Sequence, residues 1–237
     1  MPKLSPEELN SRLRFDWNIV QRMKSPLATI AAFKSMNDLK ASKHPITDAA
    51  EAHRAIAYLV EYRIKSLVDA GRFHDRFDVS IDLMAGGNYP YSEPACFVIS
   101  RPVPWSPHFL PSAGSICLGE LWSAAAGNIT LGHLIIHIAK LLNSDEADRE
   151  PGYSGWNAQA VQYWRHVMKR QPVTPGLQYP VVPPQITHGV TAETKPLFCP
   201  ASAAAPSFAP APSLFRPART ASFSVSQPTL FRPVGGK

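Results

Sequence analysis

The sequence predicts an α+β fold: an N-terminal helix, a four-stranded antiparallel meander, C-terminal helices on one side of the sheet, and a disordered Pro/Ala/Ser-rich tail. Three observations predict it. Apolar residues recur at helical spacing near the start and again in 129–143 and 154–170. Four β-rich segments follow one another at short intervals between those stretches, which implies an antiparallel meander. Of the 24 prolines, 13 fall after residue 170, where they block helix and sheet interiors.

The first helix has a start signal. Ser5 can cap, Pro6 fits the first helical position, and Glu8 completes a capping box. Leu9, Leu13, Trp17 and Val20 then form one face through about Lys24. Arg12, Arg14, Arg22 and Lys24 lie largely off that face, as a solvated surface or a basic docking surface. "LATIAAFKS" (27–35) reads as the first strand, and "DAAEAH" (48–53) as a helical turn or a loop. "AIAYLVEYRIKSLV" (55–68) is β-rich, and "DAGRFHD" suits a hairpin connection. In "RFDVSIDLM" (76–84), Phe77, Val79, Ile81 and Leu83 share one side, and Asp78, Ser80 and Asp82 the other. "ACFVIS" (95–100) is the fourth strand, ended by "RPVPWSP".

At 237 residues the chain suits one domain of ordinary size with an appended segment. The boundary predicted from composition is 1–170 for the folded core and 171–237 for the tail. The tail's small residues bury too little apolar area to offset the entropy of ordering. It repeats "PLFCP", "SLFRP" and "TLFRP", either as compositional drift or as three copies of a docking peptide. It also holds five lysines and arginines against a single acid, Glu193, and so carries most of the +6 net charge. No dense basic patch interleaved with aromatics appears, so a nucleic-acid partner is not expected. The start lacks the apolar region of a signal peptide, and no apolar run is long enough to span a bilayer, so no membrane role is expected. Few cysteines then predict the reducing cytoplasm, where a thiol persists.

The cysteines are Cys96, Cys117 and Cys199, with no CxxC spacing for zinc or redox chemistry. Cys96 sits in strand alternation and reads as core, and Cys199 lies in the tail. Cys117 stands in "PSAGSICLGELW" (111–122), between a glycine-bearing turn and an apolar run, as a small buried hydrophobe or a nucleophile. His133 and His137 have a chelating i,i+4 spacing, but no third ligand is fixed beside them, so no metal is expected.

Over about 5–170 the chain resembles the ubiquitin-conjugating enzyme family. "NYPYSEPACFVI" is similar to the family's Tyr-Pro-x-x-x-Pro segment running into the fourth strand. "GSICLGELW" is similar to its Gly-x-Ile-Cys-Leu active-site signature. "ITLGHLIIHIAKLLN" resembles the helix that follows, and "GWNAQAVQYW" resembles the Leu-Asn-x-x-Ala stretch and the aromatic near the end of the catalytic core. The resemblance implies a transferase in which Cys117 accepts a modifier's C-terminus as a thioester from an activating enzyme. Cys117 then surrenders it to an amine, with lysine the expected acceptor. Thiolate serves both half-reactions, being a good nucleophile and a good leaving group. Implied partners are an activating enzyme, docked through Arg12 and Arg14, a ubiquitin-like modifier, and a target protein. No cofactor is implied.

The chain departs from the family at its His-Pro-Asn motif, where "SPHF" stands and His108 precedes Cys117 by nine residues. A histidine can still donate a hydrogen bond to an oxyanion. It can instead act as a base or simply pack the loop. Asn128 is a second possible donor. The family often places an acid on the loop after the second helix to help deprotonate the amine. "LLNSDEADREPG" supplies Asp145, Glu146, Asp148 and Glu150, with Asp148 the choice by distance from Cys117 and Asp145 next. Glu120 can help position substrate. This divergence resembles prokaryotic members, which travel with an activating enzyme, a modifier and a protease, some in antiphage defence. Two alternatives stay open: a catalytically inactive binding module of the same fold, and a cysteine hydrolase using Cys117 with His108 or His133. The tail's "RPVGGK" resembles a modifier terminus only in its Gly-Gly pair, and Lys237 is a conceivable self-conjugation acceptor.

Overall fold

A computed structural model describes residues 3–23, 25–119, 121–122, 128–145 and 156–183. Helix α1 (Pro6–Arg22) starts as its sequence dictates. The Ser5 hydroxyl accepts from the Glu8 N–H at 3.2 Å, and the Glu8 carboxylate accepts from the Ser5 N–H at 2.8 Å. Its buried face carries Leu13, Asp16, Trp17, Ile19 and Val20.

Strands β1 (Ala28–Phe33), β2 (Ala57–Tyr62), β5 (Phe77–Asp82) and β6 (Ala95–Val98) form one antiparallel sheet in the order β1-β2-β5-β6. This is the expected meander. Ile30, Val60, Val79 and Val98 align across it. The alternation expected in β5 holds, with Phe77, Val79, Ile81 and Leu83 all fully buried. Helix α3 (Leu131–Leu142) lies on the inner face, where its Ile135 carbonyl accepts from the Tyr62 hydroxyl at 2.9 Å. Helix α4 (Ala158–His166) is shorter than the 154–170 pattern, being capped by the Asn157 side chain.

Three features differ from the sequence reading. Helix α2 (Met36–Ala41) was not foreseen; one turn and a half under a Ser35 cap is too short to show a period. The 55–68 segment divides at Arg63–Lys65 into β2 and β3 (Ser66–Asp69). With β4 (Arg72–His74), β3 forms a separate hairpin around Gly71 at φ +73°. The "DAGRFHD" connection is therefore largely strand itself. Finally, the folded part runs past residue 170, where composition placed its end. Asn143, at the end of α3, holds residues 173–179: its amide donates to the Thr174 carbonyl (3.0 Å) and the Tyr179 hydroxyl (2.8 Å). Its side-chain oxygen accepts from the Thr174 N–H at 2.7 Å, and Leu177, Tyr179 and Val182 pack on the core. One compact unit spans Met1–Ile186. The LFxP repeats, Cys199 and Lys237 lie outside the described residues. No helix among the described residues is long and apolar enough to cross a membrane.

A buried ionic network joins α1 to α3. Asp16 is fully buried and accepts three hydrogen bonds, from Arg12 Nε at 2.6 Å, the Tyr89 hydroxyl at 2.7 Å, and the Leu131 N–H at 2.9 Å. Arg12 also donates to the Ile129 carbonyl and lies over the Tyr89 ring, 5.2 Å from its centroid. Arg12 is thus engaged inside the fold, which corrects its reading as a free docking cation. Arg14 is exposed.

Removing the Asp16 carboxylate leaves the Arg12 guanidinium largely desolvated beside an unpaired helix terminus. Asp16→Ala is expected to lower unfolding free energy by about 3–5 kcal/mol in denaturant titration; a loss under about 1 kcal/mol would show that the network carries little stability. A second expectation concerns alkaline pH. Burial pushes the phenols of Tyr58, Tyr62 and Tyr89 above their ordinary value, and Asp16 adds to the shift at Tyr58 and Tyr89. Each keeps its proton in the fold but releases it near about pH 10 once unfolded. Above that pH the unfolded chain binds fewer protons, so stability falls as pH rises. Phenolate absorbance from these three should therefore appear together with loss of ellipticity, not before it.

Candidate active site

The site is built on a hairpin running from His108 to Cys117. Leu110 donates to the Ser115 carbonyl at 3.0 Å, Gly114 donates to the Leu110 carbonyl at 2.8 Å, and Phe109 faces Ile116. The second arm docks on the free edge of β6. Val98 N–H donates to the Gly114 carbonyl at 2.8 Å, and Ile116 N–H donates to the Cys96 carbonyl at 3.0 Å. Residues 114–116 thus lie antiparallel to β6 through an isolated bridge, with Ser115 opposite Phe97.

Gly114 permits this. Its φ is +74°, and a Cβ there would stand 2.4 Å from the Val98 carbonyl oxygen. The left-handed backbone disfavours any other residue, and the close approach to a main-chain atom offers no room to relax. The sequence points to a tight turn at this glycine; the contact with β6 is visible only in three dimensions.

Strand alternation then sets the sulfur's environment. Ile116 and Leu118 point inward and are 5% and 1% exposed, beside a fully buried Phe109. Cys117 lies between them on the other face and is neither buried nor fully exposed. It is a free thiol, and the reading of it as a core hydrophobe fails on this alternation. Cys96, by contrast, is buried in β6 as expected, and burial pushes its thiol up.

His108 sits opposite Cys117 across the hairpin and is itself buried. Its backbone carbonyl accepts from the Cys117 N–H at 2.8 Å, and its ring Nδ1 lies 3.2 Å from the Cys117 carbonyl oxygen. Behind it, the Pro107 carbonyl accepts from the Trp156 N–H at 2.9 Å, so the lead-in to α4 is fastened beside the hairpin. Trp156 is 47% exposed, an aromatic at the site's margin that periodicity did not single out. Downstream of the cysteine, Trp122 donates from Nε1 to the Pro90 carbonyl at 3.0 Å and packs on Tyr89, with ring centroids 5.9 Å apart. Tyr89 in turn bonds Asp16. The chain is therefore anchored on both sides of Cys117.

The remaining candidates divide. Asn128 is exposed just ahead of α3. Asp145 is half-buried, its N–H bonded to the Lys140 carbonyl at 2.9 Å. Asp148, Glu146, Glu150 and Glu120 lie outside the described residues. His133 is exposed at the start of α3, with Nδ1 2.8 Å from the hydroxyl of the capping residue Thr130. Among the described residues no group of three His, Cys, Asp or Glu side chains is placed to hold a metal ion.

No protein-family model matches the chain, and no curated protein sequence matches it. Solved structures similar to it include one described as a novel ubiquitin-conjugating enzyme, with 16% identity and a TM-score of 0.43 over 68% of this chain and 88% of the other. Another is a putative ubiquitin conjugating enzyme from Plasmodium yoelii, with 15% identity and a TM-score of 0.42 over 71% of this chain and 88% of the other.

Gly114→Ala is expected to cost about 2 kcal/mol or more, because strain at positive φ adds to the clash with Val98. Hydrogen exchange should localise the damage, with the amides of Val98 and Ile116 losing protection while those of β2 keep theirs. Unchanged protection at Val98 would show that the arm does not depend on the missing side chain.

Proposed function

We propose that this chain is a conjugating enzyme for a ubiquitin-like modifier, with Cys117 as the acceptor thiol. One observation carries the reading: Cys117 is part-exposed between the buried Ile116 and Leu118, on an arm fixed to β6, within the sequence Gly-Ser-Ile-Cys-Leu-Gly-Glu-Leu-Trp. A buried structural cysteine has no need of such presentation, whereas an acyl carrier must be both reachable and held still.

The proposed chemistry is a thioester exchange followed by aminolysis of the new thioester. The Cys117 thiolate attacks the modifier's C-terminal carbonyl on the activating enzyme, whose own thiolate leaves. An amine on the target then attacks the new thioester. An amide bond forms, Cys117 leaves as thiolate, and the amine gives up its proton. Asp148 is the proposed acid-loop residue that orients the amine and takes that proton, with Asp145, the loop's described carboxylate, the next candidate. Arg14, exposed on α1, is the remaining candidate of the two for docking the activating enzyme. The reducing cytoplasm is the setting in which such a thiol stays competent.

The test uses the full chain with ATP and with the activating enzyme and modifier from its own source. Wild type is expected to form an adduct of the modifier's mass that dithiothreitol removes. Cys117→Ser should form at most a dithiothreitol-resistant oxyester, and Cys117→Ala none. An equally reducible adduct on Cys117→Ala would assign the chemistry elsewhere. Modifier binding with no adduct at all would favour a non-catalytic binding module.

A further inference from the structure

We infer that His108 is a positioning residue that clamps the Cys117 peptide, with its Nδ1 donating to a main-chain oxygen rather than serving the thiol as a base. The inference rests on the reading of Cys117 as an acyl carrier.

In a hydrogen-bonded pair of an antiparallel ladder, two residues exchange both N–H···O bonds through their backbones. His108 and Cys117 occupy such a pair position, flanking the non-bonded pair Phe109 and Ile116. The first bond is regular, from the Cys117 N–H to the His108 carbonyl at 2.8 Å. The bond to the Cys117 carbonyl comes instead from the imidazole, with Nδ1 at 3.2 Å. A carbonyl oxygen only accepts, so Nδ1 must carry a hydrogen. One residue therefore satisfies both polar atoms of the Cys117 backbone, from a ring that is only 6% exposed.

This arrangement fixes the plane of the peptide that follows Cys117. The carbonyl cannot rotate without losing a buried hydrogen bond, so the Cα–Cβ direction, and with it the sulfur's approach to an incoming acyl group, is set. The position also explains why histidine is tolerable at "SPHF". What the site takes from the side chain is a hydrogen-bond donor one atom beyond Cγ, pointed at a main-chain oxygen. Asparagine offers a donor at the same reach, and glutamine offers it one carbon further out.

That difference in reach supplies the test. His108→Asn keeps a donor at the Nδ1 position but removes the titrating ring. His108→Gln moves the donor outward, and His108→Ala deletes it. Thioester formation should stay within about twofold of wild type in His108→Asn and fall by about tenfold or more in His108→Ala and His108→Gln. The hydrogen-exchange rate of the Cys117 amide should rise in His108→Ala and recover in His108→Asn. If His108→Asn loses charging as completely as His108→Ala, the ring chemistry matters and the clamp is overturned.

A second measurement needs no modifier. Alkylation of Cys117 by iodoacetamide, resolved by peptide mass and followed against pH, reports thiol reactivity directly. Wild type and His108→Asn should share one midpoint. A midpoint displaced upward in His108→Asn would show that the imidazole activates the sulfur and would overturn the inference. If wild type never forms a thioester, the functional reading falls, while the exchange and alkylation results still decide whether His108 holds the Cys117 peptide.

Discussion

The missing side chain at Gly114 is the constraint from which the site follows. An edge strand's N–H and C=O groups can pair with any segment that comes close enough. Here Val98 is satisfied by Gly114, at a separation that excludes even a methyl group. Once that contact is made, little about the cysteine is left to choose. Ile116 takes the inward position and closes the ladder to Cys96, and Cys117 must then face outward. A one-residue slip would bury the thiol and expose the isoleucine, so hydrophobic burial at Ile116 and Leu118 holds the register that presents the sulfur.

The seam between α1 and α3 depends on a different kind of interaction. A carboxylate as deeply buried as Asp16 is tolerable only when its lone pairs are occupied, and three donors from three parts of the chain occupy them. One of those donors is the first N–H of α3, where the helix's aligned peptide dipoles also favour a negative charge. Another is Tyr89, whose ring supports Trp122 five residues beyond Cys117. The helix, the Tyr-Pro loop and the segment leaving the cysteine are thereby referred to one atom group on α1. Arg12 belongs to this arrangement, which is why a cation off the apolar face of α1 is not simply a surface charge.

What was legible in the sequence was whatever repeats with a period or a cap. The Ser5-Pro6-Glu8 start of α1, the alternation of β5 and the apolar run of α3 each announce themselves within a dozen residues, and together they give the α+β meander. The special backbone at Gly114 was also legible, because a glycine ahead of an apolar pair is a local signal. Asp16, Tyr89 and Leu131 are far apart in sequence, and nothing in any one of them names the others. The same holds for Asn143, whose three bonds to Thr174 and Tyr179 draw into the fold a Pro-rich stretch that composition assigned to the tail. Composition measures how much apolar area a segment can bury. It does not register a single buried amide that matches a segment's backbone, and one such residue is enough to move a boundary by a dozen positions. Short elements such as α2 and the β3–β4 hairpin fail for a third reason, since they end before a period can be counted.

Among its described residues the region between β6 and α3 contains little regular secondary structure, yet it carries the candidate nucleophile. Its described residues are held instead by individual hydrogen bonds to other elements. Trp105 donates to the Leu67 carbonyl of the β3–β4 hairpin at 2.7 Å, Pro107 accepts from Trp156 ahead of α4, and Trp122 reaches back to Pro90. Each bond is worth only about 1 kcal/mol net, but an unmade one would leave a buried polar group unsatisfied, so the alternatives to this path are disfavoured together. Such a loop can hold a thiol in one orientation without the surrounding groove being narrow. Under the proposed function the acyl donor is a whole protein, and a nucleophile held by its own backbone bonds needs no enclosing pocket to fix its orientation. That locates the specificity of such a site in surfaces around the hairpin rather than in the residues that hold Cys117.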